Sequence, residues 1–204
     1  MDCNKLKFDV EESSKYVNVN EYAPKWPFRM VVLGPTGCGK SQLVGNLLLN
    51  RYLFFDKLFL FVKNMQEPVN STLINVFSQI PDALEMQLTP MDSNQQNLFV
   101  FDDYISESNQ KFIKDLFILG RKHNASCIYL AQSFYDIPKI IRNQCNFYIF
   151  FDVRNQREKT EISKDFGTEF LHHYRDAIKE PYDFLCLDTR NPHMKYRRRF
   201  DQVL

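Results

Sequence analysis

The residues with the clearest chemical potential form the segment GPTGCGKS at positions 34–41. In the pattern GxxxxGK[ST], glycines let the backbone curl into a concave nest whose N–H groups point at phosphate oxygens. The apolar segment FRMVVL precedes the nest and the helix-like segment SQLVGNLLL follows it. The positive N-terminal end of that helix would add to phosphate binding. The sequence therefore predicts a phosphate-binding loop between a strand and a helix.

The side chains of this loop have expected roles. Lys40 would reach the β- and γ-phosphates of a nucleoside triphosphate, and the Ser41 hydroxyl would be a ligand of Mg²⁺. ATP and Mg²⁺ are thus the expected cofactors. The residues expected to bind the nucleotide are Gly34, Pro35, Thr36, Gly37, Cys38, Gly39, Lys40, Ser41 and Gln42.

Two acids end the apolar run in NLFVFDDY. Asp102 would bind Mg²⁺, mostly through water, and Asp103 would orient and polarise the attacking water. A simpler interpretation is that the two acids end a strand and cap the next helix. After a phosphate loop, the metal-binding interpretation is the favoured one.

Three further polar residues are candidates for catalysis. Gln132 ends the apolar run SCIYLAQS, from which it would sense the γ-phosphate or hold the water at the carboxyl edge of a sheet. Arg142 and Arg121 compete as the arginine that faces the nucleotide of a neighbouring subunit and stabilises transition-state charge. Alternatively, Gln132 is a satisfied loop residue and both arginines are surface or ion-pairing groups.

The elements that must position these residues follow from the hydrophobic pattern. Short apolar runs alternate with helical patterns, which predicts parallel strands joined by helices. The runs FVFDD and IYLAQ are continuously apolar, as expected of central strands covered on both faces. We expect helical structure at 155–178 and a closing strand pair after it. The predicted strands lie near 28–33, 57–62, 97–102, 126–131 and 146–151.

The fold class we predict is α/β, a P-loop NTPase with a RecA-like, mostly parallel central sheet flanked by helices. The 204 residues would form a single P-loop ATPase domain. Its parts would be an N-terminal arm at 1–27, a core at 28–155, and C-terminal helices and closing strands at 156–204.

Composition and charge restrict the function classes. The formal net charge of +1 gives no whole-molecule field for nucleic acid or membrane binding. Five widely spaced cysteines without a CxxC pair favour a reducing, intracellular setting. The polar start argues against a signal peptide, and no apolar run is long enough to span a membrane. The basic cluster at 195–199 would contact a phosphate backbone or form a solvated or partner-facing strand edge.

Taken together, GPTGCGKS, NLFVFDDY, GRKHNASCIYLAQS and IPKIIRNQCNFYIFF resemble the FtsK/HerA superfamily. The resemblance is to its viral branch of genome-packaging ATPases, found in poxviruses and related large DNA viruses, and it covers about residues 28–155. It implies Walker A contacts from Lys40 and Ser41, a Walker B pair at Asp102 and Asp103, and a sensor at Gln132. Many cellular relatives carry Glu where this chain has Asp103.

The resemblance also implies partners and a location. The family forms rings, commonly hexameric, that thread double-stranded DNA through a central pore. For this chain we expect a homo-oligomeric ring, a hexamer, that docks on a viral capsid vertex. The location would be the host-cell site of virus assembly, with association with the virion. The alternatives are a P-loop nucleotide kinase and a DNA-translocating ATPase that does not package genomes.

Overall fold

The computed structural model describes residues 20–87, 89–103 and 110–204. Residues 1–19 of the predicted arm at 1–27 therefore lie outside the described residues. In the described part of the chain, all strands belong to one sheet. They are β1 (Arg29–Leu33), β2 (Lys57–Val62), β3 (Leu84–Glu85), β4 (Asn97–Asp102), β5 (Ala125–Ala131), β6 (Phe147–Phe150), β7 (Leu185–Asp188), β8 (Tyr196–Arg198) and β9 (Gln202–Val203).

The sheet has the strand order β3-β2-β4-β5-β1-β6-β7-β8-β9. Neighbours from β3 to β6 pair in parallel, and those from β6 to β9 pair antiparallel. The five predicted parallel strands are confirmed, with bounds that differ by one residue at most. The strands β3 and β9 were not predicted, because a run of two residues carries no hydrophobic period.

Helices join the strands. They are α1 (Lys40–Leu49), α2 (Pro68–Phe77), α3 (Gln110–Leu119), α4 (Lys139–Arg142), α5 (Gln156–Phe166) and α6 (Phe170–Ala177). The helical segment predicted at 155–178 is two helices, since Gly167 ends α5 with a φ of +97° that side chains rarely adopt. No helix among the described residues is long and apolar enough to cross a membrane.

Two apolar clusters cover the two faces of the sheet. In β4, Leu98 and Val100 belong to the cluster under α1 and α2, whereas Phe99 and Phe101 belong to the cluster under α3 to α6. On the second face the ring of Phe59 stacks on that of Phe99 with centroids 4.2 Å apart. Because both faces are covered, the carboxyl ends of the parallel strands are the edge at which a ligand can approach.

The basic cluster at 195–199 is not a free basic surface. Lys195 donates to Glu169 at 2.6 Å, and Arg197 is fully buried with a guanidinium nitrogen 3.7 Å from Asp188. The guanidinium groups of the next two residues, Arg198 and Arg199, both contact Asp183. The charges of this cluster are therefore paired within the fold, which favours a structural role. Contact of the cluster with a phosphate backbone or with a partner stays a prediction.

Candidate active site

The loop between β1 and α1 has the conformation that the glycine pattern predicts. Gly37 and Gly39 have φ values of +78° and +99°, in the region where glycine is favoured. At Gly34 the constraint is space, because an added Cβ would lie 2.6 Å from Cys38 Sγ and 2.7 Å from Phe151 Cβ. The three glycines thus serve a tight loop that opens directly into a helix.

The Lys40 ammonium lies inside this loop. Its Nζ donates to the carbonyl oxygens of Gly34 at 2.7 Å and Pro35 at 3.0 Å, and the residue is 8% exposed. Burial raises the pKa of the neighbouring Cys38 thiol, so the thiol stays neutral at physiological pH. The loop therefore keeps its positive character, which favours an anion.

The predicted metal ligands contact each other. The Ser41 hydroxyl donates to Asp102 Oδ2 at 2.8 Å, which joins the start of α1 to the end of β4. Burial raises the pKa of the Asp102 carboxyl; the hydrogen bond from Ser41 opposes this, and the negative charges of Asp103 and Glu67 add to it. A carboxylate that is desolvated and crowded by like charge is one that a divalent cation would stabilise.

Hydroxyl and carboxylate oxygens are the ligands that Mg²⁺ prefers. The described residues contain no group of three or more His, Cys, Asp or Glu side chains arranged to hold a metal ion. A Mg²⁺ ion at Ser41 and Asp102 would therefore complete its coordination with phosphate and water oxygens, the arrangement usual for Mg²⁺ in nucleotide sites. The donor set fits the ion.

Gln132 links the phosphate loop to the second acid. Its Nε2 donates to the carboxylate of Asp103 at 3.1 Å, and its Oε1 accepts from the Thr36 hydroxyl at 3.2 Å. The link exists because β5 lies between β1 and β4 in the sheet. Asp103 has a φ of +50°, a conformation that few residues other than glycine adopt, although Asp and Asn do so more often than most, and that recurs at functional sites.

These groups surround one cavity of about 730 Å³ at the carboxyl edge of the sheet. From the phosphate loop and α1 it is lined by Thr36, Gly37, Gly39, Lys40, Ser41 and Gln42, and from β4 and β5 by Asp102, Asp103 and Gln132. The remaining predicted contacts, Gly34, Pro35 and Cys38, do not line it. They hold the loop from within, through the carbonyls that bind Lys40 and the packing of Cys38 against Gly34.

Sequence reasoning missed the wall of the cavity that follows β2. Lys63, Asn64, Glu67 and Asn70 line it. The buried Asn70 amide donates to Asn64 O at 2.9 Å and to Glu67 Oε2 at 3.4 Å, and so holds both residues against α2. The available signal was the position of this segment directly after a parallel strand, since ligands bind at the carboxyl ends of such strands.

Neither candidate arginine lies at the cavity of its own chain. The Arg142 guanidinium lies over the Phe134 ring, 4.3 Å from its centroid, and 3.8 Å from Asp165. Arg121 is exposed in the 3₁₀ turn Gly120–His123, which precedes β5 and therefore lies at the opposite edge of the sheet from the phosphate loop. A contact between either arginine and a nucleotide would have to be made to a different subunit.

No protein-family model and no curated protein matches the sequence. Solved structures do match. The genome-packaging NTPase B204 from Sulfolobus turreted icosahedral virus 2, in complex with sulfate, aligns with a TM-score of 0.60 and 16% identity over 83% of this chain and 95% of that one. This chain has the fold of a viral genome-packaging NTPase. The α/β class and the mostly parallel sheet predicted from sequence are thereby confirmed.

Two further B204 structures give the same result. The complex of the same viral protein with AMPPCP has a TM-score of 0.61 and 16% identity, covering 83% of this chain and 96% of that one. The DNA-packaging ATPase B204 from Sulfolobus turreted icosahedral virus also has a TM-score of 0.61 and 16% identity, covering 84% and 98%. This chain thus aligns with nearly the full length of each of these neighbours.

The Asp102→Asn variant should separate metal binding from stability. The pKa of Asp102 is higher in the folded state than in the unfolded chain. Ionisation of Asp102 therefore lowers the stability of the fold as the pH rises above the unfolded-state pKa. The full loss of stability is present above the folded-state pKa. Asparagine removes this cost and retains an acceptor for Ser41. We therefore expect the metal-free variant to melt a few degrees higher than the wild type at pH 7.

Thermal melts in EDTA, repeated with Mg²⁺ and ATP, check both parts. The advantage of the variant should shrink as the pH is lowered toward 4, and its stabilisation by Mg²⁺ should be lost. Asp115→Asn, at an exposed position on α3, is the control and should melt like the wild type. A lower melting temperature of Asp102→Asn in EDTA at pH 7 would contradict the assigned desolvation.

Proposed function

We propose that this chain is a Mg²⁺-dependent ATPase that drives double-stranded DNA into a preformed viral capsid. The observation that carries the proposal is a set of three hydrogen-bonded contacts around one cavity. Lys40 donates to the loop carbonyls, Ser41 donates to Asp102, and Gln132 donates to Asp103. The fold shared with viral packaging NTPases supports the same function.

In the proposed reaction the backbone N–H groups of residues 34–39 and the start of α1 bind the phosphates. Lys40 donates to the β- and γ-phosphate oxygens and stabilises the charge that develops during transfer. Asp103 accepts the proton of the attacking water, which Gln132 helps to hold in line. Ser41, and Asp102 mostly through water, would hold Mg²⁺, which would supply neutralisation of the phosphate charge.

The partners follow from the same proposal. A homo-oligomeric ring, a hexamer, surrounds double-stranded DNA and docks on the capsid vertex at the site of virus assembly in the host cell. Arg142 or Arg121 then reaches the nucleotide of the adjacent subunit. The supporting observation is that both arginines lie away from the cavity of their own chain. Assembly of the subunits into a ring would complete each site with an arginine from the adjacent subunit.

The nucleotide-kinase alternative has less support in the structure. Such enzymes transfer the γ-phosphoryl group under cationic side chains that close over it, usually arginines. Among the described residues, the cations that line the cavity are Lys40 and Lys63, and no arginine lines it. Water-directed chemistry therefore fits the cavity better than transfer to a second nucleotide.

The test is the steady-state rate of ATP hydrolysis per subunit, measured against protein concentration with and without double-stranded DNA. We expect the rate to rise with concentration, because assembly completes the site, and to rise further with DNA. Single-stranded DNA of the same sequence is the control and should stimulate less. A rate that is constant with concentration and indifferent to DNA would favour a monomeric phosphotransferase.

A further inference from the structure

An exposed tyrosine stands on a strained turn beside the phosphate loop. The turn is residues 180–183, closed by a hydrogen bond from Asp183 N to Glu180 O at 3.1 Å. Pro181 takes its second position and Tyr182 its third, with a φ of +66°. Turns with Pro in the second position and positive φ in the third usually have glycine or asparagine there. An aromatic residue in this uncommon conformation motivates the hypothesis that its side chain has a role.

The turn is held firmly by a buried carboxylate. Asp183 is 1% exposed, and its Oδ2 accepts from the backbone N–H groups of Lys179 at 3.1 Å and Glu180 at 2.9 Å. Arg198 donates to the same Oδ2 at 2.7 Å, and Arg199 donates to Oδ1 of Asp183 at 2.7 Å. Burial acts to raise the pKa of Asp183, but these hydrogen bonds together lower it below its ordinary value. The carboxylate is therefore ionised at neutral pH and stabilises the turn that carries Tyr182.

The ring of Tyr182 lies beside the phosphate loop. Its Cδ1 is 3.5 Å from the position that a Cβ on Gly39 would occupy, so the ring is close to that glycine. Nevertheless, 70% of the residue is exposed. One face of an aromatic ring is thus presented to solvent directly beside the residues that would hold the phosphates.

The sheet order gives the direction in which a nucleotide would extend. Asp102, Asp103 and Gln132 follow β4 and β5, on one side of the phosphate loop, so the γ-phosphate lies toward that side. Tyr182 lies three residues before β7, which is on the other side, beyond β6. A triphosphate whose reacting end faces Asp103 therefore directs its ribose and base toward Tyr182.

We propose that Tyr182 is the platform on which the base of the bound nucleotide stacks. This subsite rests on the proposed function, since it needs the triphosphate in the loop. Stacking uses the π face that every base has, and it is therefore tolerant of base identity. Tyr182 alone would thus increase affinity for any purine nucleoside triphosphate and would discriminate weakly between adenine and guanine.

The test compares two ligands that share the phosphates and differ in the base. Calorimetric titration with ATPγS and with inorganic tripolyphosphate, both with Mg²⁺, is done on the wild type and on Tyr182→Ala and Tyr182→Phe. The alanine variant should bind ATPγS about tenfold more weakly, the magnitude typical of one stacked base, and bind tripolyphosphate like the wild type. The phenylalanine variant keeps the ring and should bind both ligands like the wild type.

A further variant separates the ring from the turn. Tyr182→Gly removes the ring and also relieves the backbone, so it should melt at or above the wild-type temperature and still lose affinity for ATPγS alone. Unchanged ATPγS affinity in the alanine and glycine variants, or an equal loss for both ligands, would overturn the stacking role and leave the proposed function intact. If the wild type bound neither ligand, the proposed function would fail and the subsite with it.

Discussion

We expect the Lys40→Ala variant to hydrolyse ATP at least about 100-fold more slowly than the wild type. The ammonium is held within the loop by the carbonyl oxygens of Gly34 and Pro35, so it is positioned before any nucleotide arrives. Removing one preorganised donor aimed at developing charge typically costs ~10²–10³ in rate. The measurement is the steady-state rate at saturating ATP and Mg²⁺.

The control for this variant must change a lysine without changing the site. Lys164 on α5 is mostly exposed and pairs with Glu161 one helical turn away. Lys164→Ala should hydrolyse ATP at the wild-type rate, because an exposed pair of this kind contributes little. Turnover by Lys40→Ala within a few-fold of the wild type, in a folded protein, would refute the assignment of this cavity as the active site.

Replacement of Arg29 should have the largest effect on stability. Arg29 lies on β1 and is fully buried. Its Nε donates to Phe117 O at 3.0 Å, and one terminal nitrogen donates to Phe28 O at 2.9 Å and to Ala125 O at 2.8 Å. Arg29 thus ties the last turn of α3 to β1 and β5. Its loss would remove these donors from three buried carbonyls, of which Phe28 O would keep the hydrogen bond from Cys127 N at 3.1 Å, and would open a cavity.

Arg29→Ala should therefore lower the free energy of unfolding by roughly 3–5 kcal/mol. Arg29→Met refills the volume without the donors and should recover part of that loss. The measurement is chemical denaturation monitored by circular dichroism. Arg157→Ala, at an exposed position on α5, should change the free energy by no more than about 0.5 kcal/mol. If Arg29→Ala were as stable as this control, the carbonyl contacts would have no energetic role.

The sequence was sufficient for the central sheet and for the phosphate loop. The strands β4 and β5 are continuous apolar runs, and such runs are typical of parallel strands buried on both faces. Residues 34–41 have a local motif whose geometry follows from glycine and from the start of a helix. Because parallel strands end at the same edge, the sequence also indicated that Asp102 and Gln132 would lie near that loop.

The remaining features depend on contacts between residues far apart in the chain. The ion pairs of the basic residues at 195–199 were not predicted, because their acidic partners, such as Glu169 and Asp183, precede them by many residues. Arg29 is a charged residue within an apolar strand, and its partners are carbonyls of distant elements. Glu67 and Tyr182 reach the site through strand order, which periodicity does not give.

The contacts of Gln132 make its side-chain amide a directional connector. The nitrogen faces a carboxylate, which only accepts hydrogen bonds, and the oxygen faces the hydroxyl of Thr36. Turning the amide by half a rotation would place its oxygen against Asp103, where both groups are acceptors. The charge on Asp103 therefore fixes which end of the amide meets the phosphate loop. A displacement of Thr36 would be transmitted to Asp103 through that one orientation, so the Gln132 side chain couples the loop mechanically to the acid.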